Sequence, residues 1–120
     1  MYKIHFYKKS NGKRPIDEYL KEITKNDDKS SRIRKNKLYE YMTVLEEFGL
    51  SAGEPYIKNI EGDLWELRPI NDRVLFLVWY ENSFIMLHHF VKKTRKTPTK
   101  EIEQARREIR DIKKGSGTYE

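Results

Sequence analysis

The stretch from Leu64 to Pro98 constrains this chain more than any other. It reads LWELRPINDRVLFLVWYENSFIMLHHFVKKTRKTP. Two turn signals, Asn71-Asp72 and Asn82-Ser83, break it into three apolar runs, and the last run ends in a block of cations. Runs of this length, rich in β-branched and aromatic residues, read as strands of an antiparallel meander. Their polar exceptions define the candidate site: Glu66, Arg68, Arg73, His88, His89, Lys92, Lys93, Arg95 and Lys96.

Side chains alternate along a strand, and residues paired across antiparallel strands point the same way. If Asn71-Asp72 is a tight turn, Ile70 pairs with Arg73 and Arg68 with Leu75. If Asn82-Ser83 is the next turn, Leu75 pairs with Phe90 and Arg73 with Lys92. Shifting that second turn by two residues sets Leu75 against His88 and Arg73 against Phe90. Either register puts Glu66, Arg68, Arg73, His88, Phe90 and Lys92 on one face. Leu67, Val74, Phe76, Val78, Ile85, Leu87 and Val91 fall on the other. The second face is the more aliphatic, so the helices are expected there.

The flanking sequence supplies those helices. Tyr2 to Tyr7 alternates as a first strand, and Asn11-Gly12 ends it. Pro15 suits the first turn of a helix whose stripe is Ile16, Tyr19, Leu20 and Ile23. Ser30 or Ser31 is placed to cap a longer helix bearing Leu38, Tyr41, Leu45 and Phe48, with Gly49 at its end. Its basic start, Arg32 to Lys37, reads as a solvated face or as a binding surface. Tyr56 to Ile60 is a short strand. Thr97 reads as the cap of a last helix with Pro98 first and Ile102, Ala105, Ile109 and Ile112 inward. Gly115 to Thr118 ends it, leaving a frayed tail. The element order is β-α-α-β-β-β-β-α, an α+β fold over residues 1–120 as one domain, with the helices on one face of an antiparallel sheet.

Composition narrows the chemistry. Cysteine is absent, which excludes disulfides, thiolate metal sites and a cysteine nucleophile. No run approaches a membrane span and no secretory leader is evident, so a cytoplasmic location is expected. Net charge is +6 and pI about 9.4, which favours an anionic partner. His5, His88 and His89 lack a metal-ligand spacing, and no phosphate-cradling glycine motif occurs, so no metal or cofactor is expected. Arginine matches phosphate bidentately and lysine adds a mobile point charge. Phe90 or Tyr80 would stack an unpaired base. RNA carries its own nucleophile, the 2′-OH, so cations with an acid and a base suffice to cleave it.

Leu64-Trp65-Glu66-Leu67-Arg68-Pro69, followed by Arg73 and an apolar strand, resembles the middle of RelE-superfamily toxins. Leu87 to Pro98 resembles the Leu-His-Gly-Phe-x-Lys-Lys-x-x-Lys-Thr-Pro signature of their phage-derived HigB-like subgroup, and Glu101 to Ala105 continues the match. His89 stands where that signature has glycine, and Tyr119 does not match the C-terminal tyrosine of some members. The resemblance implies a RelE-like toxin of a type II toxin–antitoxin pair, a ribosome-dependent endoribonuclease that needs no metal. In it Arg68 matches the family's strand arginine, Lys92, Lys93 and Lys96 its basic loop, and Arg73 a position that is basic in many members. Together with the shared face and the basic loop, this gives Arg68, Arg73, Lys92 and Lys93 as the expected catalytic cations and His88, Phe90, Arg95 and Lys96 as the expected RNA contacts. It implies a HigA-like helix-turn-helix antitoxin, the ribosome and mRNA as partners, no membrane, and operator DNA only through the antitoxin. The alternative is a non-catalytic nucleic-acid- or protein-binding module on the same fold.

Overall fold

The meander is present and forms most of a six-stranded mixed sheet in a computed structural model that describes residues 1–120. Strands β2 (Ile57–Glu61), β3 (Leu64–Leu67), β4 (Asp72–Trp79) and β5 (Ser83–Val91) pair antiparallel in that order. Strand β1 (Lys3–Lys8) lies beside β5 and runs parallel to it. The sheet is therefore mixed, not purely antiparallel as the strand pattern suggested. The chain leaves β1 through α1 (Pro15–Lys25) and α2 (Lys29–Phe48), re-enters at the opposite edge, and folds back inward. The last meander strand then lands next to the first strand in the same direction. After α3 (Thr99–Lys114), the tail expected to fray instead forms β6 (Thr118–Tyr119) on the outer edge of β1. Glu120 anchors it through Lys8 (3.1 Å) and Arg14 (2.6 Å), and Tyr119 accepts a bond from the Trp79 indole (3.0 Å).

Helices cover both faces, not one. On one side Ile16, Tyr19 and Ile23 of α1 and Leu38 and Leu45 of α2 pack on Leu67, Val74, Phe76, Phe84 and Met86. On the other, Ala105 and Ile112 of α3 pack with Tyr7 on Leu64, Leu75, Leu77, Ile85, Leu87 and Phe90. A β-bulge creates the second core. Leu75 pairs with His88 but Phe76 pairs with Met86, so Leu87 is the extra residue. The bulge resets the alternation of β5. Ile85 and Leu87 therefore join Glu66, Arg73, His88 and Phe90 on the α3 face, instead of opposing them. Each fully buried leucine or isoleucine here contributes about 1.5–3 kcal/mol relative to exposure.

The turns set strand registers that differ from those the sequence suggests. The β4–β5 connection holds three residues, Tyr80 to Asn82, with Glu81 and Asn82 both left-handed (φ 54° and 56°). The β3–β4 connection is Arg68 to Asn71, so Glu66, not Arg68, faces Leu75. That is a slip of two, which preserves the faces of β3 and β4. Helix caps also differ from expectation. Asp28, not a serine, caps α2 and accepts from the Ser31 amide at 2.7 Å. Pro98 precedes α3, which frees the Thr97 hydroxyl for another partner. No helix is long and apolar enough to cross a membrane.

Gly49 ends α2 at φ 59°, ψ −145°, a conformation open in practice only to glycine, and the Tyr2 ring lies where a Cβ would project. Gly12 also has positive φ (88°) but open space around it. Gly49→Ala is expected to lose roughly 2–4 kcal/mol and Gly12→Ala about 1 kcal/mol, measured by urea denaturation. Equal losses would mean that the Tyr2 contact adds nothing.

Candidate nucleic-acid interface

Two buried carboxylates, one on each face, organise the end of the sheet where β3, β4 and β5 meet their loops. Asp72 opens β4 on the α1/α2 side and is 3% exposed. Its Oδ1 accepts from Arg34 Nη2 and from His89 Nε2, both at 2.8 Å, and its Oδ2 accepts from Arg34 Nε at 3.0 Å. The His89 ring stacks on Tyr19 with centroids 3.5 Å apart and planes within 8°. Burial pushes the Asp72 carboxyl up, but the hydrogen bonds from His89 and Arg34 outweigh it and hold the pKa at about 2. The residue that breaks the Leu-His-Gly-Phe pattern thus ties β5 to β4 and α1.

Glu66 does the corresponding work on the α3 side. Its Oε2 accepts the Thr97 hydroxyl at 2.7 Å. Its Oε1 lies 3.5 Å from Arg68 Nε and 3.7 Å from Arg73 Nε. Arg73 is buried and donates through Nη1 to the carbonyls of Ile70 and Asp72, each at 2.8 Å. Burial lowers the Arg73 pKa, and the charge of Glu66 opposes that shift. The bond to Ile70 holds an exposed β-branched residue at φ 58°, which few such residues adopt. Ile70, Ile33 and Val91 are all exposed and line one groove beside Asp72.

Between these anchors runs an arch of cations. The Lys92 amide donates to Asn71 O at 2.7 Å, and Thr97 is fixed by Glu66. Lys92, Lys93, Arg95 and Lys96 lie between those ties, all exposed and none in an ion pair. Arg68 stands at the arch's flank, its side chain 23% exposed and its buried Nε without a hydrogen-bond partner. Concentrated positive charge on a braced loop suits phosphate more than it suits a neutral ligand.

The structure brings the expected cations together but removes three residues from the surface. Arg73 is a brace, and replacing it would disturb folding before chemistry. Phe90, 9% exposed, belongs to the α3 core and has little ring face to offer a base. His88 is 4% exposed, with Nδ1 2.6 Å from Glu108 and Nε2 3.1 Å from Glu101. In the sequence Asp72 reads only as a turn residue, Arg34 only as one of a basic run, and neither Glu101 nor Glu108 is singled out for the site. A signal was present for the glutamates: they share the spacing 101-105-108-112 with Ala105 and Ile112, on the stripe facing β5.

The chain is thus an α+β domain whose sheet ends in a braced arch of exposed cations that make no ion pairs. The family model described as "Phage derived protein Gp49-like (DUF891)" matches residues 22–110, including the whole of the Leu64–Pro98 stretch. The chain belongs to this family, which is RelE-like and toxin-like. No curated protein matches it.

Asp72 yields a pH-dependent expectation. A carboxyl held at about 2, against an ordinary value near 3.9, adds stability that is full above about pH 4 and fades as pH falls through 2. Asp72→Asn is expected to lose roughly 2–4 kcal/mol at pH 7 in chemical denaturation. Carboxyl-carbon NMR should show an Asp72 midpoint near 2; a midpoint near 4 would remove the ionic brace.

Proposed function

We propose that this chain is the toxin of a type II toxin–antitoxin pair, of the phage-derived HigB-like kind, and cleaves mRNA on the ribosome. The observation that carries the reading is the arch: four exposed cations without ion pairs, tied by Asn71 at one end and Glu66 at the other. Membership of a toxin-like family supports it. The antiparallel β2–β5 meander with flanking helices agrees with a RelE-like arrangement. A HigA-like helix-turn-helix antitoxin would neutralise the protein and carry any contact with operator DNA. The site of action would be the cytoplasm, where ribosomes translate.

The reaction uses the substrate's own nucleophile. The 2′-oxygen attacks the adjacent phosphorus, forming a P–O2′ bond as the P–O5′ bond breaks. One proton leaves the 2′-OH for a base and one reaches the departing O5′. The products are a 2′,3′-cyclic phosphate and a 5′-hydroxyl. Negative charge grows on the non-bridging oxygens in the transition state. Arg68, Lys92 and Lys93 are assigned to it, because preorganised cations there act where charge develops. Arg95 and Lys96 take flanking phosphates. Arg73 positions Arg68 and the Ile70 turn, while His88 and Phe90 hold β5 against α3. The reaction as written calls for no metal or cofactor.

A second reading keeps the arch but drops the chemistry. His88 and His89 are both engaged to buried carboxylates, which leaves no free imidazole at the arch to move a proton. On that reading the protein binds RNA, or a protein partner, without cutting.

Expression alone should arrest growth, and co-expression of the adjacent antitoxin should restore it. Lys92→Ala/Lys93→Ala should reduce cleavage of ribosome-bound mRNA on the order of 10²–10³-fold. Exposed cations contribute within about 0.5 kcal/mol to stability, so thermal melting should not move appreciably. Wild-type cleavage by the double variant would remove the arch from the active site. Ribosome binding without cleaved mRNA in the wild type would favour the second reading.

A further inference from the structure

A second cationic surface lies away from the arch. The cleft between the end of β1 and α3 has a volume of about 650 Å³. Lys9, Arg107, Arg110 and Lys114 line it, all exposed and none in an ion pair. Two carboxylates lie in its wall, and both are already engaged. Glu108 meets His88 at 2.6 Å and also accepts from Gln104, while Asp111 accepts the Tyr7 hydroxyl at 2.8 Å. Four free cations therefore face two committed anions. Tyr7 is the one hydrophobic side chain in the lining, so the cleft does not suit an apolar partner.

The spacing of the cations matters. Arg107, Arg110 and Lys114 follow one another at intervals of three and four residues, hence on one helix face. At a rise of 1.5 Å per residue they are separated by roughly 4.5 and 6 Å along the axis. A row of charges suits a chain of phosphates better than a single small anion. The row begins about 12 Å along α3 from Thr99, the first residue of the helix that follows the arch. One nucleotide cannot span both surfaces, whereas the backbone of a folded RNA can.

We propose that this cleft is a second RNA-backbone site, which grips ribosomal RNA while the arch holds the mRNA. The choice of ribosomal RNA rests on the toxin reading; the affinity of the cleft for RNA phosphate does not. Lys9 and the α3 row contact successive phosphates without reading bases, so the cleft supplies affinity and orientation and takes no part in bond breaking.

The test uses the full chain, protein-free small-subunit ribosomal RNA and a salt series. Arg107→Ala/Arg110→Ala is compared with Lys21→Ala/Lys58→Ala, which removes the same charge from exposed, unpaired positions elsewhere. The α3 pair should weaken binding about tenfold and make the slope of log affinity against log salt shallower by roughly 1.5, with melting unchanged. The control pair should change little. Equal losses from both pairs would reduce the effect to net charge and overturn the proposal. So would unchanged RNA binding by the α3 pair together with lost binding to phosphatidylglycerol vesicles, which would make the cleft a membrane contact. Because binding is read without cleavage, a protein that cuts no mRNA yet shows the α3 loss would refute the toxin reading and leave this site standing.

Discussion

Burying a carboxylate where a sheet meets its loops costs several kcal/mol unless its oxygens are satisfied, and this fold does so twice. Asp72 draws in Arg34 from α2 and His89 from β5, and Tyr19 of α1 stacks on that histidine. Glu66 draws in Thr97 from beyond the arch and sets its charge against Arg68 and Arg73. Helices α1 and α2, the ends of β4 and β5 and the loops beside them thereby meet at one end of the sheet. Removing either acid would leave cations without partners inside the protein, so the geometry of the exposed cations depends on groups a ligand never touches.

The sequence showed the meander because its apolar runs are long and its turn residues distinct. It showed the helices because Ile16, Tyr19 and Ile23, and later Ile102, Ala105, Ile109 and Ile112, repeat at helical spacing. The β5 bulge was not legible. Nothing in Ile85-Met86-Leu87-His88 distinguishes a strand of strict alternation from one with an extra residue, since all four side chains are compatible with burial. The cost was the placement of Ile85 and Leu87, and with it the second helix-covered face. The terminal strand was missed for a different reason. Thr118 and Tyr119 are too few to form a pattern, and their order comes from long-range ties to Trp79, Lys8 and Arg14.

At the candidate site the cations were legible as a block, but their states were not. Arg68 and Arg73 look alike in a sequence, yet one flanks the arch while the other is held by two carbonyls in the interior. His88 and His89 are adjacent and serve opposite faces of the sheet, each against carboxylates from distant parts of the chain. Fold pairing decides such matters, and the two-residue slip at Arg68–Asn71 and the bulge at Leu87 both fall within the stretch that carries the site.

In the proposed reaction, charge braced from beneath acts on a phosphate that RNA's own hydroxyl attacks. Helices cover both faces of the sheet and leave the cations of its loop end exposed. The most direct test is the chemistry of the ends left on ribosome-bound mRNA after exposure to the purified protein. The account predicts a 2′,3′-cyclic phosphate on the upstream fragment and a 5′-hydroxyl on the downstream one. A 3′-hydroxyl paired with a 5′-phosphate would contradict it, because those ends require attack by water and not by the RNA itself.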